Sequence, residues 1–229
     1  AKASVQKITG IPGEMTVTYT DKKGAEHTVT AQGVLAAAGR KANLDGLFGP
    51  DFSLELDRGA VVGDDMGRTS VPHVYVIGDA KAKNIQLAHV ASAQGENVVS
   101  VIAGKNPPLD LSVVPSCVYT EPEIASVGLT EEGAKAAGIP VKTGKYLTGA
   151  NGKCLIEGTE SGYVKLVTDG ASGRILGAQL VCPRATDMVG ELTLAIQKRL
   201  TADDLSAAIH PHPTFSEMLV GAAEGLRLE

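Results

Sequence analysis

The chain has 229 residues, 21 basic against 26 acidic, for a net charge of -5 and a pI near 5.6. With no basic block to follow a phosphate backbone, nucleic acid is not an expected partner. No apolar run reaches the roughly 18 residues of a membrane span and the opening AKASVQKITG lacks a signal peptide's apolar core, so a soluble cytoplasmic protein without a membrane partner is expected.

Three cysteines, Cys117, Cys154 and Cys182, fall at spacings that suit neither a disulfide framework nor a CxxC metal or redox site. They read as reduced, ordinary residues, and no metal site is expected. Aromatics make up 3% of the chain and tryptophan is absent, so the core is to be filled by Val, Leu, Ile and Ala. The length suits two modest domains.

The first 38 residues alternate as strands do: EMTVTYT, a turn at DKKG, then EHTVTAQGVLAAAG, which together predict a hairpin followed by a buried strand. From Arg40 to Pro72 runs a Gly- and Asp-rich stretch expected to cross a surface. HVYVIGDA then reads as a short buried strand with the carboxylate of Asp79 at its C-terminal end, where open α/β sheets bind ligands. Gln86 to Ala103 carries apolar residues at helical spacing, and GKNPPLDLSVVP is a linker that places a domain boundary near residue 110.

Beyond that boundary the predicted strands are SCVYT, IASVGL, VKTGKYL, KCLIEG, GYVKLVT and RILGAQLVC. The predicted helices are TEEGAKAAG, TDMVGELTLAIQKRL, TADDLSAAI and, last, FSEMLVGAAEGL. Thr130 with Glu132 and Thr201 with Asp203 are candidate helix starts. Hairpin-type strands framed by helices predict an α+β domain built on one antiparallel sheet.

The segment IHPHPTFSEM concentrates the candidate chemistry. Pro211 and Pro213 hold the preceding His210 and His212 extended, while Glu217 lies on the first turns of the helix predicted over FSEMLVGAAEGL, five residues beyond His212. A carboxylate there can orient an imidazole and stabilise its protonated form, which is how a general base is held.

Taken together, these motifs resemble the flavin-dependent pyridine nucleotide disulfide oxidoreductases and, among them, the dihydrolipoamide dehydrogenases. GVLAAAGRKANLDGL is similar to the strand and Gly-Arg turn, here Gly39 and Arg40, that leads from the nicotinamide-nucleotide domain into the flavin region. SVPHVYVIGDA resembles the second flavin motif, whose aspartate, here Asp79 after Gly78, accepts hydrogen bonds from the ribityl chain of FAD. QLAHVASAQGENVV resembles the following helix, whose first turn, here Leu87, Ala88 and His89, lies at the flavin ring. VVPSCVYTEPEIASVGLTEEGAK resembles the opening of the interface domain, and IHPHPTFSE the lipoamide-specific active-site motif, with His212 as base and Glu217 as its partner.

The resemblance implies FAD and NAD as cofactors of the complete enzyme, a lipoyl-bearing protein as substrate, and a homodimer. The fold class expected is α+β: an incomplete, β-rich FAD/NAD-binding region followed by an α+β interface domain whose antiparallel sheet is flanked by helices. Residues 1–38 would be a fringe of the NAD-binding domain, 39–110 the second segment of the flavin region and 111–229 the interface domain. The dimer contact is expected through the sheet and the apolar faces of the helices around Met188 to Leu200 and Phe215 to Leu226.

Family members also carry a Gly-rich βαβ unit for FAD, a Cys-x4-Cys redox pair and a second Gly-rich unit for NAD, and none of these is found in this sequence. The chain is therefore expected to be the C-terminal half of a longer polypeptide, inactive and without tightly held FAD by itself. The alternatives are a non-catalytic dimerisation module and a related FAD-dependent reductase of another disulfide, such as glutathione.

Overall fold

A computed structural model of the protein describes residues 2–159 and 161–227. These divide into two compact units, one up to Lys41 and one from Ala42 onward. The boundary expected near residue 110 lies inside the second unit.

The first unit is an antiparallel meander of β1 (Ser4–Ile11), β2 (Glu14–Thr20) and β3 (Glu26–Ala31). The turn after β2 closes as its sequence dictates, with Asp21 Oδ1 accepting the amides of Lys23 at 2.8 Å and Ala25 at 3.0 Å. The buried strand expected over GVLAAAG does not form. Residues 33–38 have no ladder among the described residues, and Leu35 is 90% exposed. Apolar sequence alone cannot make a strand, which requires a neighbour to take its backbone hydrogen bonds.

In the second unit a small hairpin of β4 (Leu56–Asp57) and β5 (Ala60–Val61) precedes a 3₁₀ turn at Gly78–Ala80 and the helix α1 (Ala88–Ile102). HVYVIGDA runs into that turn outside any named strand, contributing an isolated bridge from Tyr75 to Arg68, the bond from Val76 N to Gly67 O at 2.7 Å and that from Thr69 N to Val74 O at 3.1 Å. Val76 and Gly78 are buried nonetheless. The expected linker is strapped to α1. Buried Asn97 exchanges two 2.9 Å bonds with the backbone of Leu109, and the His89 ring meets Pro115 O at 2.9 Å.

The remainder forms the expected α+β body. Five antiparallel strands lie in the order β6 (Ser116–Val118), β7 (Ile124–Gly128), β10 (Ile175–Val181), β9 (Tyr163–Asp169) and β8 (Val141–Leu147). Register aligns Ala125, Leu180, Val164 and Tyr146 in one cross-strand row and Val127, Ala178, Leu166 and Gly144 in the next. The helices α4 (Ala185–Gln197) and α6 (Glu217–Gly225) cover this face with Met188, Val189, Leu192 and Ala195, and with Met218, Leu219, Ala222 and Ala223. Gly144 sits so close beneath α6 that a Cβ there would lie 2.0 Å from Ala222 O.

Two short helices of the body carry threonine caps. α2 (Glu131–Ala136) is capped by Thr130, and α5 (Ala202–Ala207) by Thr201. The acidic partner of the Thr201 capping box is Asp204, not Asp203, because the reciprocal bond requires the third helical residue.

One expectation for this region needs correction. KCLIEG is not a strand but the helix α3 (Gly152–Glu157). Asn151 caps its first turn at 2.9 Å, Lys153 and Glu157 pair one turn apart at 2.8 Å, and Gly158 ends it in the left-handed region. The core-facing sides of α4 and α6 are taken up by the chain's own core, while Leu194 on α4 and Leu200 just after it stay exposed. A row of exposed and half-buried apolar side chains lies on the opposite sheet face, where Val118, Ile124, Val181, Tyr163 and Leu147 align across all five strands.

Candidate active site

His212 and Glu217 come together. Glu217 is the first residue of α6, and its position is set by the next two residues, Met218 and Leu219, which are fully buried against the sheet. Its two carboxylate oxygens are divided: Oε1 faces His212 Nδ1 at 2.9 Å and Oε2 accepts the Thr214 amide at 2.8 Å. These bonds, the Thr214 amide foremost and then the His212 ring, hold the Glu217 carboxyl below its ordinary pKa. With Nδ1 donating to the carboxylate, the lone pair of His212 lies on Nε2, and the side chain is 78% exposed. The arrangement is an imidazole oriented from behind and open in front, the geometry of a general base.

His210 is arranged oppositely. Its Nδ1 meets Ala208 O at 2.9 Å and its Nε2 meets Glu191 Oε1 on α4 at 3.0 Å, with only 9% of the side chain exposed. Both ring nitrogens thus face oxygen atoms, and neither is open to a substrate. His210, Glu217, Tyr146 and Glu224 line a cleft of about 300 Å³ along α6.

The second group of site residues surrounds Gly78 and Asp79. Gly78 adopts φ 61°, and a Cβ there would lie 2.8 Å from Ala91 Cβ on α1, so the turn docks on the helix only as glycine. Two side chains fasten it. Gln94 Oε1 accepts the Gly78 amide at 2.8 Å, Asn84 Nδ2 donates to Gly78 O at 2.8 Å, and Gln94 Nε2 donates to Asn84 Oδ1 at 2.8 Å. Neither Asn84 nor Gln94 was singled out from sequence. Amides are commonplace on helix surfaces, and nothing local marks these two as a clamp.

Leu87, Ala88 and His89 open α1 beside this turn. The N-cap Leu87 offers no side-chain acceptor, and the amides of Ala88 and His89 find none among the described residues. Lys81 and Lys83, which crowd positive charge here in the sequence, are both engaged, Lys81 Nζ with Asp64 O at 2.7 Å and Lys83 Nζ with Asp57 at 3.1 Å. Gly39 and Arg40 belong to the first unit, in exposed chain after β3.

The cysteines stand apart from both groups. Cys154 and Cys182 are buried, and burial pushes the Cys182 thiol up to about 12. Cys117 is half-buried, its thiol also raised, first by desolvation and then by Glu123.

Residues 1–95 match the pyridine nucleotide-disulphide oxidoreductase family, and residues 114–223 match its dimerisation domain. The chain belongs to the pyridine nucleotide-disulphide oxidoreductases. It is 41% identical over 214 residues to a dihydrolipoyl dehydrogenase of Bacillus subtilis, covering 93% of this chain and 45% of that protein. It is 43% identical over 209 residues to the dihydrolipoyl dehydrogenase of Halobacterium salinarum, covering 91% of this chain and 44% of that one. Among solved structures, LpdA from Mycobacterium tuberculosis superimposes with a TM-score of 0.86 at 27% identity, covering 99% of this chain and 48% of the other. The fold is shared too with the HOCl-induced flavoprotein disulfide reductase RclA from Escherichia coli, at TM-score 0.85, 23% identity and coverages of 96% and 50%. The chain thus spans about half the length of the relatives it matches. Among the described residues no helix is long and apolar enough to cross a membrane.

Proposed function

We propose that this chain forms the C-terminal part of an FAD- and NAD-dependent dihydrolipoyl dehydrogenase and supplies its general base. The observation that carries the reading is the His212–Glu217 pair, oriented through Nδ1 and open at Nε2. A dihydrolipoyl thiol, with an ordinary pKa of about 8.5, attacks a disulfide only as thiolate. His212 Nε2 takes that proton, and Glu217 holds the ring and stabilises the imidazolium. The redox disulfide would be supplied from outside these residues, because the sequence holds no Cys-x4-Cys pair and its three cysteines are free.

The residues around Gly78 fit FAD. A partly buried carboxylate on a turn clamped to α1, beside a helix start whose first amides find no acceptor among the described residues, suits a polyol chain and a ring that gains negative charge. FAD held there would supply the two-electron chemistry that links the disulfide to the nicotinamide. Asp79 would hold the ribityl chain, and the turn at Leu87, Ala88 and His89 would face the ring. Gly39 and Arg40 would begin the flavin segment.

The enzyme would act as a homodimer in which the base of one protomer serves the disulfide of its partner. The second copy would cover the exposed sheet row from Val118 to Leu147, and an obligate interface of this kind buries about 2,000 Å² or more.

The test is stopped-flow reduction of the flavin by dihydrolipoamide in the complete enzyme. His212→Gln should slow it by roughly 10² to 10⁴ with FAD content unchanged. Glu217→Gln should cost less, and His210→Gln least. Near wild-type reduction in His212→Gln overturns the reading.

A further inference from the structure

A fourth residue stands behind the pair, 61 positions before His212 in the chain. Asn151 is only 2% exposed and uses both ends of its carboxamide. Its Oδ1 accepts the Cys154 amide at 2.9 Å, capping α3, while its Nδ2 donates to Thr214 O at 3.0 Å. Thr214 in turn gives its amide to Glu217 Oε2 at 2.8 Å, and Glu217 Oε1 meets His212 Nδ1 at 2.9 Å. The backbone of Asn151 is anchored independently, its amide bonding Thr148 O at 2.9 Å in the 3₁₀ turn that ends β8. An unbroken series of hydrogen bonds therefore runs from the sheet to the imidazole.

We infer that Asn151 is a positioning residue for the His212–Glu217 pair, holding Thr214 so that its amide fixes one oxygen of Glu217 and leaves the other for His212. The inference rests on the reading of His212 as the base. The segment from Ile209 to Phe215 has no regular secondary structure, and the Ile209 side chain is fully exposed, so its shape depends on tethers of this kind. A buried primary amide suits the task because one group both accepts and donates while staying uncharged beside a carboxylate. The amide of Thr214 is also the largest influence lowering the Glu217 pKa, so loss of its tether has a readout separate from turnover.

The variant that isolates the tether is Asn151→Ser, whose hydroxyl still caps α3 but stops short of Thr214 O. Asn151→Thr serves the same purpose should the serine variant not fold. In the 229-residue chain, the Glu217 carboxyl is followed by ¹³C NMR against pH. Its titration should move up toward the ordinary carboxyl range, with the far-ultraviolet circular dichroism of the wild type. The other titratable groups near Glu217 are His212, His210, Tyr146 and Glu224, and the substitution alters none of them. In the complete enzyme kcat should fall about 3- to 10-fold with KM for dihydrolipoamide and FAD content unchanged, the loss expected for one neutral hydrogen bond. A Glu217 titration that overlays the wild type in a folded variant overturns the inference. Failure of the base reading is seen separately, as turnover retained by His212→Gln, and the Glu217 titration then still decides whether Asn151 holds the pair.

Discussion

The two groups of site residues rest on different kinds of support. Glu217 heads a helix whose next two residues lie in a core shared by all five strands, and the helix is seated directly on Gly144. Gly78 and Asp79 occupy chain with almost no regular ladder, held to α1 by the amides of Asn84 and Gln94. A site on the first kind of support shares the stability of a whole domain. A site on the second depends on a few hydrogen bonds and responds to their loss locally.

The largest expected effect breaks the first support. Gly144→Ala places a methyl where Ala222 O already stands, so α6 must lift from the sheet. Urea denaturation should show a loss of about 1–3 kcal/mol, the usual range for overpacking. The cost should reach the pair as well, with the Thr214 amide exchanging faster with solvent although residue 144 is remote from it in sequence. A variant as stable as the wild type would mean that the helix is not seated as tightly as the geometry states.

A more local effect, comparable at most, tests the second support. Gln94→Leu keeps the bulk of the side chain but leaves the Gly78 amide without its acceptor, at a cost of about 1–3 kcal/mol if the group stays buried and less if water reaches it. Hydrogen exchange should quicken at Gly78 and its neighbours while α6 and the sheet remain protected. Exchange that rose equally over the sheet would show that the two regions open as one unit, against the contrast drawn above.

The smallest effect lies away from both sites. Glu131 on α2 pairs with Lys135 and with Lys165 of β9, and these two lysines lower its carboxyl to about 2 from 4.5. A depressed carboxyl contributes stability that is present above its unfolded pKa and is lost as pH falls through the folded one. Glu131→Gln should therefore be slightly less stable than wild type at neutral pH, with the difference vanishing between about pH 4.5 and 2 in acid titrations of stability. The solvent exposure of this cluster keeps the effect small. A difference that persisted below pH 2 would assign it to packing rather than charge.

Much of the body was legible in sequence because its signals are local. Thr130 and Thr201 cap helices with their own side chains, the period of α1 and α4 follows from their apolar spacing, and VKTGKYL became β8 over its predicted bounds. The pairing of His212 with Glu217 was also within reach, since five residues across a helix start leave few places for the two side chains to go. KCLIEG misled because six residues of mixed polarity fit either period, and the deciding signals were its two ends, Asn151 and Gly158.

What the chain determined alone was therefore the order of its motifs, most of its elements and the pairing of His212 with Glu217, all carried by neighbours in sequence. The tertiary structure decided which apolar runs find a ladder, so that GVLAAAG and HVYVIGDA stay out of regular strands. It also decided which face of the sheet is covered, and that Asn151 meets Thr214 and Gln94 meets Gly78. The reason is physical: caps and periodicity act within a turn or two of backbone. A ladder partner, a covered face or a buried amide's second hydrogen bond is supplied by residues that only folding brings within 3 Å or so.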